Sequence, residues 1–205
     1  MKNMKENSSN SIHSSNTRIA DLLFEAGLLK TVSRTGWETV RAPRESVAEH
    51  SFRTAMVGWV LAKMAGLSEQ DEALLIKACL FHDLHETRIG DLHRLAKLYG
   101  SLDEKKCEKE QREGLPKEME KDLERSLDSL SSRLRIFAYE ADKIECAITA
   151  KEYLDAGYRT AKWIEHTEKE SVKSPEGKAL LKAVLSRDSS AWFMQDEKLD
   201  KNKRQ

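Results

Sequence analysis

Two apolar runs that break off into histidines and carboxylates constrain this chain more than anything else in it. Across residues 52–65, Phe52, Ala55, Met56, Val57, Trp59, Val60, Leu61 and Met64 cover nearly every face of a helix, which predicts a helix buried all round. Ser46 with Glu49 three residues on is a capping-box start for it, and Gly66 ends it. A second run, residues 73–81, follows the cap residue Ser68 and passes straight into HDLHETRIGDLHRL. Polar groups therefore fall at the ends of two core helices: His50 lies in the first turn of one, and His82 and Asp83 close the other. A buried charge without a partner is costly, so these side chains need partners.

The rest of the chain reads as helix as well. Ile19, Leu22, Leu23, Ala26 and Leu29 repeat at helical spacing from a start near Thr17, and residues 34–46, with Gly36 and Pro43, form a loop. Residues 101–133 are charge-dense and broken by Gly114 and Pro116 into two exposed helices. A long helix over 134–154 carries Phe137, Ala141, Ile144 and Ile148 as its core stripe, flanked by Asp142, and Gly157 stops it. Shorter helices follow near 158–169 and 175–187, and Trp192 and Phe193 are expected to dock on the body. With 9 Gly, 3 Pro and no sustained strand alternation, the chain is expected to be all-α, a single domain over residues 17–194. The polar, aperiodic residues 1–16 are expected to be a disordered tail and 195–205 a solvated one.

Charge and motif content remove several function classes. Lys plus Arg and Asp plus Glu each total 35, and a nucleic-acid polymer would need a concentrated basic surplus. The three cysteines form no framework, and no window reaches the length of a membrane span. A cytoplasmic protein with no membrane partner is therefore expected. There is no GxG pair, HExxH or GxSxG, so dinucleotide, P-loop and nucleophile-elbow chemistry lack support.

One divalent cation shared by His50, His82, Asp83 and Asp142 would satisfy all four polar groups together. Two imidazoles and two carboxylates suit Mn, Fe, Co or Zn better than Mg or Ca. Each residue also has a plainer reading. His50 can be a core histidine donating to a carbonyl, and Asp142 can be a helix carboxylate paired with Lys143.

Taken in order, RTGW (34–37), ESVAEHS (45–51), HDLHE (82–86), GD (90–91) and Asp142 resemble the HD-domain metal-dependent phosphohydrolases. Within them the pattern is similar to the 5′-deoxynucleotidase branch, and it runs over residues 19–160. The resemblance implies an HD-type helical bundle in which His50, His82, Asp83 and Asp142 hold one divalent metal. It implies hydrolysis of the 5′-phosphate of a deoxynucleoside or nucleoside monophosphate through a metal-activated water, with Glu86 as the acid near that water. Arg34 would grip the phosphate, while Trp37 and Asp91 would shape the sugar pocket. The one protein partner it implies is a second copy of the chain, as a homodimer. Two departures stand out: His85 occupies a place usually held by a small or apolar residue, and LHRL follows Asp91.

The alternatives are distinct. Another reaction of the superfamily, on a cyclic nucleotide or an alarmone, shares the metal residues but does not need RTGW. A non-catalytic helical binding module with a structural metal has no use for Glu86. Residue by residue, Glu86 can instead pair with Arg88 or Lys77, Trp37 can be core packing and Arg34 a surface ion pair. Cys146 reads as a core thiol. Residues 101–133 are either an insert folded over the site or against a second subunit, or a solvated helical pair.

Overall fold

Nine α-helices run through the computed structural model, which describes residues 2–193, with side chains from residue 15 onward. They are α1 (Lys2–Gly27), α2 (Val47–Met64), α3 (Glu69–Phe81), α4 (Glu86–Ile89), α5 (Glu104–Arg112), α6 (Lys117–Asp128), α7 (Ser132–Asp155), α8 (Ala161–His166) and α9 (Pro175–Leu185). Serine caps start the helices that build the core. Ser46, Ser68, Ser131 and Ser174 each accept from the backbone N–H three residues on, at 3.2, 3.2, 3.3 and 2.9 Å. At α2 the box closes, with Glu49 Oε2 taking the Ser46 N–H at 2.7 Å.

The core lies between α2, α3 and α7 and is closed below by α9: Val57, Leu61, Leu75, Cys79, Phe137, Ile144 and Leu181 meet there. Gly58 permits the close approach of α2 to α3, because a Cβ at 58 would stand 2.7 Å from Cys79 Sγ. Gly58→Val is expected to lower unfolding stability by about 1–3 kcal/mol, as overpacked core positions do. That exceeds the few tenths a β-branched residue gains over glycine in a helix. A denaturant midpoint left unchanged would contradict this packing.

Four sequence expectations differ from the structure. First, α2 is not buried all round: Phe52, Met56 and Trp59, at i, i+4 and i+7, face outward, Phe52 at 66% exposure. The helices α3 and α7 pack on its other faces and leave this stripe uncovered. Second, Trp192 and Phe193 do not dock; they are 74% and 65% exposed and lie edge-on to each other. Third, α1 starts at Lys2 rather than near Thr17, with no Gly or Pro between residues 2 and 26 to stop it. Fourth, the pair from the charge-dense segment is not simply solvated, since Cys107, Glu108 and Gln111 of α5 and Leu123 and Ser126 of α6 are buried. The tail expected over 195–205 lies outside the described residues.

Strands are absent among the described residues, but one isolated bridge matters for the site. Ser33 pairs with Ser46, Arg34 N–H donates to Glu45 O at 2.9 Å, and Val47 N–H donates to Val32 O at 2.9 Å. These contacts pin the loop that carries Arg34 to the N-terminus of α2.

Candidate metal centre and its surroundings

The buried first turn of α2, the C-terminus of α3 and the middle of α7 bring His50, His82, Asp83 and Asp142 together. His50 Nε2 lies 3.3 Å from His82 Nε2, 3.4 Å from Asp142 Oδ1 and 3.6 Å from Asp83 Oδ2. His82 Nε2 lies 3.1 Å from Asp83 Oδ2. The other ring nitrogens are taken: His50 Nδ1 bonds Glu145 Oε2, and His82 Nδ1 donates to Cys79 O at 2.8 Å. Both Nε2 atoms are thus turned inward on one another, an arrangement that needs a proton or a cation between them.

Ligand atoms of His50, His82 and Asp83 all lie within 4.8 Å of one another, close enough to share one ion. Asp142 also reaches Lys143 Nζ at 2.8 Å with its second oxygen, so the ion pair and the approach to His50 coexist. Burial and the Arg34 charge push the His50 imidazole down, but Asp142 and Glu145 outweigh them and raise it to about 10. Burial opposes ionisation of Asp83, yet His82, His50 and Arg34 hold it well below the usual carboxylate range. Two imidazoles and two carboxylates facing one another make a donor set that fits a borderline divalent metal.

Arg34 points into this cluster rather than onto the surface. Its Nη1 is 3.5 Å from Asp83 Oδ2 and 4.0 Å from Asp91 Oδ1. Burial disfavours the guanidinium charge, and Asp83, Asp142 and Asp91 more than restore it. Asp91 follows Gly90, whose φ of +73° is open to glycine without strain. Its Oδ2 accepts from Thr35 N–H at 2.6 Å and Thr35 Oγ1 at 3.1 Å, which ties RTGW to the GD turn and leaves Oδ1 on the Arg34 side.

Trp37 sits elsewhere. Its 3%-exposed indole packs with Ala150 and Ile164, against Trp163 and Tyr153, and donates to Glu45 Oε2 at 2.6 Å. Cys146 packs beside this cluster, its thiol pushed up to about 12 by burial first and then by Asp142 and Glu145.

Glu86 opens α4 and is buried, and its Oε2 has no hydrogen-bond partner. The two surface partners available to it are engaged elsewhere, Arg88 with Glu25 and Lys77 with Asp122. Burial, then Asp83 and Asp91, raise its carboxyl to about 9. His85 is buried as well, its Nδ1 at 3.8 Å from Glu108 Oε1.

A family model described as HD domain matches residues 26–183. The chain belongs to the HD-domain family. The Dictyostelium discoideum 5′-deoxynucleotidase HDDC2 is 44% identical over 71 residues, 32% of this HD-domain chain and 37% of that protein, so the match spans well under half of that relative. A genomics crystal structure is 31% identical with a TM-score of 0.68, covering 83% of this chain and 95% of that one. The cyanophage S-2L HD phosphohydrolase DatZ, bound to dA and one catalytic Zn2+ ion, shares the fold: 20% identity, TM-score 0.56, 82% of this chain and 96% of that one. The HD-type helical bundle expected from the sequence holds.

Around the HD residues lies a polar layer that the sequence reading missed. Glu145, which bonds His50, also takes Arg53 Nε at 3.0 Å and Thr149 Oγ1 at 3.1 Å. Thr149 Oγ1 reaches Glu45 Oε1 at 2.9 Å, and Arg53 Nη1 holds Glu152 Oε1 at 2.7 Å. A signal was present: Asp142, Glu145, Thr149 and Glu152 recur at i, i+3, i+7 and i+10, a polar stripe on a core helix of the HD bundle.

Proposed function

We propose that the chain is a metal-dependent phosphomonoesterase acting on the 5′-phosphate of deoxynucleoside and nucleoside monophosphates. The observation that carries the reading is the convergence of His50, His82 and Asp83, with Asp142 beside His50, on the Arg34 guanidinium and the unpartnered Glu86 carboxyl. His50, His82, Asp83 and Asp142 would hold the ion, with Mn, Co, Zn or Fe suited to the mixed donors. Once bound, such an ion supplies a Lewis acid that acidifies water and offsets phosphoryl charge.

The chain's own residues then do the rest. Arg34, oriented by Asp83 and Asp91, grips the phosphate with its planar fork. Glu86, a buried carboxyl within reach of Asp83, positions the water or shuttles its proton. Asp91 offers Oδ1 to a sugar hydroxyl. Trp37 acts from behind, since its backbone N–H donates to Arg34 O at 3.3 Å and its ring fixes the turn. The 5′-deoxynucleotidase relative and the dA-bound neighbour support a nucleotide over other phosphate esters.

The reading includes a homodimer, for which the outward stripe of α2 offers an apolar face. It also includes a cytoplasmic setting; no helix among the described residues is long and apolar enough to cross a membrane.

Paired kinetics on dNMP, NMP and an aryl phosphate test the assignment. Asp91→Asn is expected to change the dNMP-to-NMP ratio more than the aryl phosphate rate, whereas Trp37→Phe, acting through the Arg34 turn, is expected to lower all three rates together. Arg34→Ala is expected to lower hydrolysis of all three, with Arg34→Lys recovering only part because it lacks the fork. Equal loss on every substrate in Asp91→Asn would remove the sugar role.

A further inference from the structure

The Glu86 carboxylate oxygen Oε2 lacks a hydrogen bond, so the backbone on either side must set where that carboxylate stands. α4, which Glu86 opens, has only four residues, and a helix that short does not hold its own shape in water. The turn that leads into it and its Thr87 side chain are gripped from outside, by α5 of the charge-dense segment. Gln111, 2% exposed, donates through Nε2 to Leu84 O at 3.0 Å and to Thr87 Oγ1 at 2.9 Å, bracketing Glu86 in sequence. The same amide reaches Glu25 Oε1 at 2.8 Å, and Arg88 Nη2 holds the other Glu25 oxygen at 3.1 Å. Thr87 Oγ1 closes the loop by donating to Leu84 O at 2.9 Å, and Cys107 Sγ meets His85 O at 3.5 Å. His82 and Asp83 precede this clasp, with partners of their own in the metal cluster.

We infer that Gln111 is a positioning residue for the Glu86 carboxyl, so that α5 sets the geometry of the acid while leaving the metal cluster alone. The inference rests on the proposed role of Glu86. A displacement of about 1 Å at a reacting group can cost up to about 10²-fold, and a buried amide with its donors shared among three acceptors is sensitive to loss.

The test is a double-mutant cycle on the full chain: Gln111→Met, equal in length but without donors, in wild-type and Glu86→Gln backgrounds. Bound metal, thermal midpoint, kcat and KM are measured with an aryl phosphate. In the wild-type background kcat is expected to fall roughly 10- to 100-fold, with KM and metal content unchanged. In the Glu86→Gln background the same change is expected to add less than about twofold. Thr87→Val, which removes the bracketing hydroxyl, provides the same comparison should Gln111→Met not fold. An equal loss in both backgrounds, unchanged kcat, or a loss of metal would overturn the positioning role and leave the role of Glu86 standing. Wild-type turnover in Glu86→Gln alone would remove that role, and this inference with it.

Discussion

Asp83→Ala is expected to strip the metal from the purified protein. Asp83 is the carboxylate that lies within reach of both imidazoles, 3.1 Å from His82 and 3.6 Å from His50. Removing even an outer partner of a metal ligand typically weakens binding by about 10–100-fold, so loss of a ligand itself should exceed that range. Metal analysis after dialysis should find about one ion per chain in the wild type and close to none in the variant. Glu145→Gln is the graded companion. It keeps the shape beside His50 Nδ1 but weakens the carboxylate hold, so affinity should fall by about 10–100-fold while stoichiometry at saturating metal survives. Retention of full metal content by Asp83→Ala would mean that the cluster is not the binding site.

Glu86→Gln is expected to do the opposite: keep the metal and lose turnover by about 10²–10⁴-fold, the usual contribution of a positioned acid or base. The variant is nearly isosteric and Glu86 makes no ion pair with Arg88 or Lys77, so its thermal midpoint should stay close to the wild type. Metal content, melting and kcat measured on one preparation separate chemistry from folding. Near-wild-type turnover would take Glu86 out of the chemistry.

The helical architecture was legible because its signals are local. The serine caps Ser46 and Ser68, the stop glycines Gly66 and Gly157 and a 3.6-residue apolar period are properties of short windows. The polar members of the centre were legible for a related reason: His50, His82 and Asp83 interrupt apolar runs, where a polar residue needs a partner. What escaped is set by long-range packing. Phe52, Met56 and Trp59 look like core in any window, and only the placement of α3 and α7 leaves them outside. Gln111 lies in a segment with the composition of a solvated helix, and its burial depends on where α5 meets the 84–87 turn. Trp37 reads as a pocket residue in its motif, whereas its indole is held by Glu45 and packed against Trp163. No feature of the RTGW window specifies those partners.

Phosphate release from deoxynucleoside 5′-monophosphates by metal-depleted protein, before and after adding back Mn, Co, Zn or Fe one at a time, tests the central claim most directly. Release should be absent in the depleted protein, return with at least one of these ions, and fail to return in Asp83→Ala at the same metal concentration. No release with any of these ions or Mg, or release that survives complete depletion, would contradict a metal-dependent nucleotidase built on His50, His82, Asp83 and Asp142.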